Sequence, residues 1–418
     1  MRLAHAGRGS RPDETKELLV HLLAGPGPHC LMLRLTARDV ERALAPILIE
    51  CLSGRVRLAI EVPSGEPAPV AHAVNALAAK LGRRRPRVGL IEGNDILATQ
   101  AGASLLGLPC DPPPPPDSTL VAAHVRFGAD APLALFAKGA EVLVSGQLAP
   151  SATAIAFARY VHRWGDGDHA RLAAAAAAGR ILSAGAAAVG GDLYDPALDG
   201  RREIGLPLAE IAEDGAVAFE STRDAPPVAG LALALLDGVD DPRHWPEPDV
   251  TLDFDDATLI GPKLSGMRGG AAPSHLPGVL AFETGFVGEG ELAYGGTGAA
   301  GRAIDAARAL EARLSAMPPG TRARVEIVGI DSATRGAGER AADLAVVPGK
   351  DVRLRLAVRA PARDAVDAAL AEFAALAAFG PAGAGGVRQS AHPERRVSAA
   401  RIPRALASPR VSLLAADA

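Results

Sequence analysis

The sequence predicts an α/β protein: a mostly parallel sheet with helices on both faces, followed by a smaller α+β domain of the ferredoxin-like kind. Three observations carry this. From residue 2 to about residue 264, short apolar runs alternate with segments of helical periodicity, the pattern of a parallel sheet covered on both sides. A glycine-rich stretch, Ser265 to Gly278, then interrupts it. Beyond lies a different rhythm, two helices among several antiparallel-looking strands. The division expected is an α/β domain over 1–264, a linker over 265–278 and an α+β domain over 279–418. At 418 residues the chain is too long for one ordinary core and suits two or three domains.

Taken in order, residues 2–6 form a short strand and Asp13 to Leu23 a helix, with Pro12 in its first turn, where no N–H is needed. CLMLRL (30–35) reads as a strand. Thr36 caps a helix over 37–51 with Asp39 near its start. Arg57 to Val62 is a third strand and Pro69 to Leu81 a helix, apolar at 70, 73, 74, 77 and 78. Val88 to Ile91 is a compact strand ending on Glu92-Gly93-Asn94-Asp95. The five prolines after Asp111 exclude a helix or a central strand and read as a loop excursion. Pro132 to Lys138 is helical, Glu141 to Ser145 a buried strand closed by Gly146-Gln147, and Ser151 caps a helix to Trp164. An alanine-rich helix covers Arg171 to Leu182.

That helix runs into GRILSAGAAAVGG (179–191), followed by Asp192. Glycine tolerates positive φ and close approach, so this stretch suits a tight crossing on the floor of a cleft. Apart from Arg180 and Ser183 it carries no side chain able to act as acid, base, nucleophile or metal ligand. IAEDGAVAF (211–219) is a strand–turn–strand signal with Asp214-Gly215 as the turn, and a helix covers 226–238. In the second domain, strands fall near 279–286, 290–294, 322–330 and 351–359, helices at 298–316 and 362–379, and the tail ends in the strand Val411 to Leu414.

Net charge is −4 and the pI near 6.2, which argues against a general nucleic-acid binder. No apolar run approaches the ~20 residues that span a bilayer, and the N-terminus turns polar at once, unlike a secretory signal. Three widely spaced cysteines fit a reducing cytoplasm, not a disulfide framework. The ten histidines show no metal-ligand spacing, and no GxSxG elbow appears. No metal or resident cofactor is expected.

In parallel sheets ligands gather beyond the carboxyl ends of the strands. Glu92, Asn94 and Asp95 lie at such an end. An Asx turn with a helix cap and a ligand role are both open readings for them.

Several marks in this order resemble the acyclic terpene utilisation family: IEGND (91–95), KGAEVLVSGQ (138–147), GRILSAGAAAVGG (179–191), GLPLAEI (205–211), DGVDDPRHWPEPDVTLDF (237–254), VEIVGIDS (325–332) and FGPAGAGG (379–386). Each is weak alone; together, in register from about residue 3 to 400, they are specific. Longer family members carry a further C-terminal domain with an arginine-serine-glycine-aspartate-lysine-glycine signature, which this sequence does not show. The resemblance implies a bacterial catabolic protein for branched terpenoid acids handled as CoA thioesters, with a lyase-like step on a hydroxy-acyl-CoA. In the family pattern the segment matching 179–191 carries a histidine, an acidic residue with an adjacent cysteine, a glutamine and a threonine. Here those places hold Arg180, Ser183, Ala184, Ala187 and Val189, Asn94 replaces a first aspartate, Gln147 an arginine and Pro150 an aspartate.

The candidate site is therefore Asp95 as acid or base, Asp192 as a second carboxylate, Asn94 and Gln147 as hydrogen-bond donors, and Gly93, Gly146, Ser151, Gly190 and Gly191 as contacts to a small-molecule substrate, with a CoA thioester as its possible carrier. Three functions compete: a cytoplasmic enzyme of branched acyl-CoA catabolism, a catalytically degenerate paralogue serving as a structural or regulatory subunit in a homo- or hetero-oligomer with a related chain, and a small-molecule binding protein without turnover. Nucleic-acid and membrane partners are not expected.

Overall fold

The computed structural model describes residues 1–7, 10–97, 99, 102–193, 203–330, 332 and 351–414. The chain packs as two compact units, Met1–Pro109 with Ala123–Val279 and Ala399–Ala418, and Cys110–Ala122 with Leu280–Ser398. It runs through β1 (Arg2–Ala6), α1 (Pro12–Ala24), β2 (His29–Arg34), α2 (Val40–Leu44), α3 (Leu48–Glu50), β3 (Val56–Glu61), α4 (Ala68–Lys80), β4 (Val88–Glu92) and α5 (Gly102–Leu106). Next come β5 (Cys110–Asp111), β6 (Thr119–Val125), α6 (Asp130–Ala137), β7 (Val142–Ser145), α7 (Ala152–His162), α8 (His169–Ser183), β8 (Pro207–Ile211), β9 (Val217–Ser221) and α9 (Val228–Leu236). Short strands follow: β10 (Trp245–Glu247), β11 (Val250–Asp253), β12 (Thr258–Ile260), β13 (Lys263–Ser265) and β14 (Arg268–Gly270). The remainder is β15 (His275–Gly295), α10 (Ala299–Leu314), β16 (Arg322–Val328), β17 (Asp351–Ala360), α11 (Arg363–Phe379), β18 (Ala384–Pro403) and β19 (Arg410–Leu414).

The first unit is built on a ten-stranded sheet in the order β12-β13-β9-β8-β1-β2-β3-β7-β4-β19. Its middle, β1-β2-β3-β7-β4, is parallel through four pairings. The other five pairings are antiparallel, so the sheet is mixed where the sequence suggested a mostly parallel one. The reason lies in the connections. A parallel neighbour needs a crossover, usually a helix, whereas β8 and β9 are joined by the Asp214-Gly215 turn, with Gly215 at φ +92.

Crossovers of one hand place helices on alternate faces when the strand order reverses. Helices α1, α2 and α4 contribute to the core on one face, under Leu31, Leu58, Leu90 and Val144. Helices α6, α7, α8 and α9 fill the other, over Leu3, Met32, Ala59 and Leu143. The order reverses at β7, inserted between β3 and β4, and a crevice is expected beyond the carboxyl ends there. Helix α8 is apolar nearly all round and buried from Leu172 to Gly179, as suits a helix walled in on every side. The single helix expected over 37–51 is instead α2 and α3. Pro46 falls between them, lacking an N–H and colliding with the preceding turn. Thr36 does not cap; its hydroxyl donates to Asp39 Oδ2 at 2.7 Å.

The second unit carries a six-stranded sheet, β16-β17-β15-β18-β5 with β6 also on β15. Helices α10 and α11 cover one face, and Leu354, Leu356, Tyr294 and Phe373 lie in the core between. The succession is β15-α10-β16-β17-α11-β18, with β17 between β15 and β16. The compact ferredoxin-like form is not reached: β15 and β18 run 21 and 20 residues and the sheet is wider than four strands. Gly288 and Gly290, within and at the start of regions read as a gap and a new strand, lie inside β15. A Cβ at Gly290 would sit 2.7 Å from Phe373 Cδ1, so these glycines admit helix side chains and do not mark a turn. Among the described residues no helix is long and apolar enough to cross a membrane.

Candidate functional site

Side chains alternate faces along a strand, so strands in parallel register lay their residues out in rows. In the first unit one row reads His5, Met32, Ala59, Leu143, and the next, two residues further toward the carboxyl ends, Arg34, Glu61, Ser145. Both rows face the helices α7 and α8. Where the sheet ends the apolar row gives way to a polar one, and a cleft opens there. It is lined by His5, Arg34, Glu61, Ser145, Thr153 and Ser183 among apolar neighbours such as Met32, Leu143 and Leu148. Its enclosed floor offers about 30 Å³, room for one water-sized group, and the cleft is open to the surface beyond it.

Helix α8 closes this cleft because Gly179 carries no side chain. A Cβ there would lie 2.7 Å from the Pro150 carbonyl oxygen and 2.9 Å from Ser151 Cα. Gly179 and Ser183, one turn apart on the helix, both line the cleft.

The polar groups are unequally served. Arg34 Nη2 donates to Glu61 Oε1 at 3.1 Å, while its Nε has no partner among the described residues. His5 is buried, at 7% exposure, and its Nδ1 is likewise unpartnered. Burial, helped by the Arg34 charge, pushes the His5 pKa down to about 4, so the ring is neutral at pH 7. Burial raises the Glu61 carboxyl above its ordinary range, against the opposing pull of Arg34 and Arg126. A carboxyl raised by burial and held beside a cation at the end of a parallel strand is a candidate general acid or base.

Among the described residues, Gly93, Asn94, Asp95, Gly146, Gln147, Ser151, Gly190 and Gly191 are not in the lining of this cleft. Asn94 Nδ2 donates to the carbonyls of Val125 (2.8 Å) and Gln147 (2.6 Å), and Gly146 N–H donates to the Ile91 carbonyl. A Cβ on Gly146 would sit 2.0 Å from Asn94 Oδ1, so the ends of β4 and β7 are locked together. Gln147 Nε2 reaches the Pro63 carbonyl at 3.3 Å. Gly93, at φ +98, closes on the Ser408 carbonyl. Asp95 is exposed and its Oδ1 accepts from Leu97 N–H at 3.0 Å, an Asx turn. Gly190 and Gly191 follow a 3₁₀ turn and sit against α9, where a Cβ on Gly230 would meet Gly190 N at 3.1 Å. The side chain of Asp192 lies outside the described residues. The structure thus brings Asn94, Gly146 and Gln147 together and sets Asp95 and Gly190 apart from them.

Ser151 does not use its hydroxyl to cap α7. It donates to Glu247 Oε2 at 2.7 Å. Glu247 also receives Arg180 Nη1 at 2.9 Å, and Arg180 Nη2 and Nε donate to the carbonyls of Asp237 and Leu235. The guanidinium lies 5.1 Å over the Trp245 ring. Position 180 is committed to packing α8 and α9 against β10.

His5, Arg34 and Glu61 were not singled out by sequence reasoning. A signal was present: RLAHA, CLMLR and VRLAIE each turn polar near the end of an apolar strand, and the carboxyl-end rule applied to β4 holds equally for β1, β2 and β3.

A family model described as acyclic terpene utilisation family protein AtuA matches residues 36–413. The chain belongs to that family. No curated protein and no solved structure matches it. Glu61, Ser145, Thr153, Gly179 and Ser183 fall within the span matched to the family, Arg34 lies just before it and His5 well before it.

Proposed function

We propose that the protein catalyses a proton-transfer step in acyclic terpene utilisation, lyase-like in kind, on a branched acyl substrate carried as a CoA thioester, and that the step takes place at the cleft beyond β1, β2, β3 and β7. The observation that carries this is Glu61: a carboxyl kept from full solvation, raised in pKa, and oriented by Arg34 at the carboxyl end of a parallel strand. Glu61 is the acid–base group in this reading. Arg34 positions it, and Ser145 and Thr153 offer hydroxyls to the substrate. Asn94, Gly146 and Gln147 fix the neighbouring wall, and Asp192 is proposed as a further carboxylate. The reaction is expected in the cytoplasm.

The test is turnover of a hydroxy-acyl-CoA by the isolated chain. Glu61→Gln keeps the shape and removes the titrating group, and it is expected to lower kcat by roughly 10²- to 10⁴-fold. Undiminished turnover in Glu61→Gln overturns the assignment.

A second reading, a catalytically degenerate subunit partnering a related chain, is favoured by Arg180. Each of its three guanidinium nitrogens donates to a structural partner, and Trp245 lies beneath the group. Absence of turnover together with a stoichiometric co-purifying relative supports that reading. Tight binding of the thioester without turnover or partner supports a binding protein.

A further inference from the structure

The cleft floor has a composition that restricts what can occupy it. Arg34 and Glu61 form an ion pair with no net charge, and His5 is neutral. Two nitrogens of residues that line this cleft, His5 Nδ1 and Arg34 Nε, are buried without partners among the described residues, and leaving such atoms unmade costs about 1–3 kcal/mol each. Arg34 Nε can only donate; a neutral imidazole offers one donor and one acceptor nitrogen; a carboxylate only accepts. An occupant that satisfies all three must both donate and accept, must be uncharged, and must fit about 30 Å³. A carboxylate or phosphate fails on charge, because it would face Glu61, and on size. An ammonium group fails because it cannot accept from Arg34.

We infer that this floor is a binding site for one neutral hydroxyl group, supplied either by water or by an alcohol carbon of the substrate, held between His5, Arg34 and Glu61. The group accepts from Arg34 Nε and donates to the Glu61 carboxylate, and the His5 ring takes the remaining place as donor or acceptor. Met32, Leu143 and Leu148 give the adjoining wall its apolar character, matched to the carbon that bears the hydroxyl. Such a cavity exceeds the roughly 10–15 Å³ a bound water needs and supplies the polar partners one requires. The chemical use of the site rests on the proposed function; the binding itself does not.

The experiment is a crystal structure of the full chain at a resolution that shows ordered solvent, repeated after soaking in methanol and in formate. One solvent-sized peak within hydrogen-bond distance of the His5 ring and Arg34 Nε is the expected result. Growth of that peak by one carbon in methanol assigns the hydroxyl to an alcohol; an unchanged peak assigns it to water. An empty floor, or formate in that place, overturns the inference. His5→Phe fills the space and is expected to abolish the peak, while His5→Asn restores a hydrogen-bonding group and is expected to keep it. A peak unchanged in His5→Phe also overturns the inference. Should His5→Phe not fold, loss of the peak in His5→Asn alone counts against it. None of these readouts requires turnover, so an inactive protein with an occupied floor refutes the proposed reaction and leaves this site standing.

Discussion

Two ion pairs lie in the same unit, one buried and one half-buried, and they are built to opposite rules. In the pair of Arg180 with Glu247, side-chain exposures are 10% and 5%, Ser151 donates to the carboxylate, two carbonyls accept from the guanidinium and Trp245 stacks beneath it. In the pair of Arg34 with Glu61, exposures are 29% and 20%, and among the described residues the guanidinium Nε and the Nδ1 of the buried histidine beside it have no partner. A network with every group satisfied fixes structure. A network with groups left over has capacity for a ligand, and it stands where a parallel sheet places ligands. The difference assigns the first pair to the fold and the second to the chemistry.

The largest effect that could break this contrast is on stability. Arg180→Met leaves Glu247 buried without its cation and is expected to cost about 3–5 kcal/mol in a urea melt. Arg34→Met, at a more solvated pair, is expected to cost less than about 1 kcal/mol. Equal costs would erase the distinction.

A second contrast appears in pH. The folded pKa of His5 is about 4 against an ordinary 6.5, so its contribution is fully present above pH 6.5 and is lost as pH falls through 4, about 3 kcal/mol in all. Asp249 runs the other way. Its buried carboxyl accepts from Ala129 N–H at 2.8 Å, its Oδ2 is unpartnered, and burial raises its pKa to about 7. The stability it contributes is present below its ordinary value of 3.8 and is lost as pH rises through 7. Between about pH 4 and 6.5 the two slopes oppose each other. His5→Gln is expected to leave stability falling as pH rises across that range, and Asp249→Asn to leave it rising. Parallel curves for the two variants would contradict both assignments.

Smaller effects sharpen the geometry. Gly179→Ala puts a methyl against the Pro150 carbonyl and is expected to cost about 1–3 kcal/mol through displacement of α8. Ser151→Ala removes one hydrogen bond to Glu247 and is expected to cost about 1–2 kcal/mol, measured in the same melts.

Much of the fold was legible because periodicity and turn chemistry are local. The helix expected at 362–379 is Arg363–Phe379, and the last strand expected at 411–414 is Arg410–Leu414. The helix over 37–51 was misread because its apolar pattern continues across Pro46. The sequence suggests a mostly parallel sheet because hairpins after α8 leave the same apolar runs as crossovers do. β15 was divided because Gly288 and Gly290 resemble a turn until Val366 and Phe373 are seen to need the space. The site was less legible. Glycine marked the places where chain segments cross, as at Gly146 and Gly179, but the reactive groups come from the ends of three other strands. Only strand register brings residues 5, 34 and 61 together, and a lone arginine or glutamate after an apolar run does not state its register.

The most direct measurement is a pair of carboxylate-to-amide variants, Glu61→Gln and Glu247→Gln, each followed by urea unfolding and by turnover of a hydroxy-acyl-CoA. The account predicts that Glu61→Gln unfolds with the wild-type midpoint and loses turnover, and that Glu247→Gln unfolds at markedly lower urea. Turnover retained in Glu61→Gln, or a Glu247→Gln protein as stable as wild type, would contradict it.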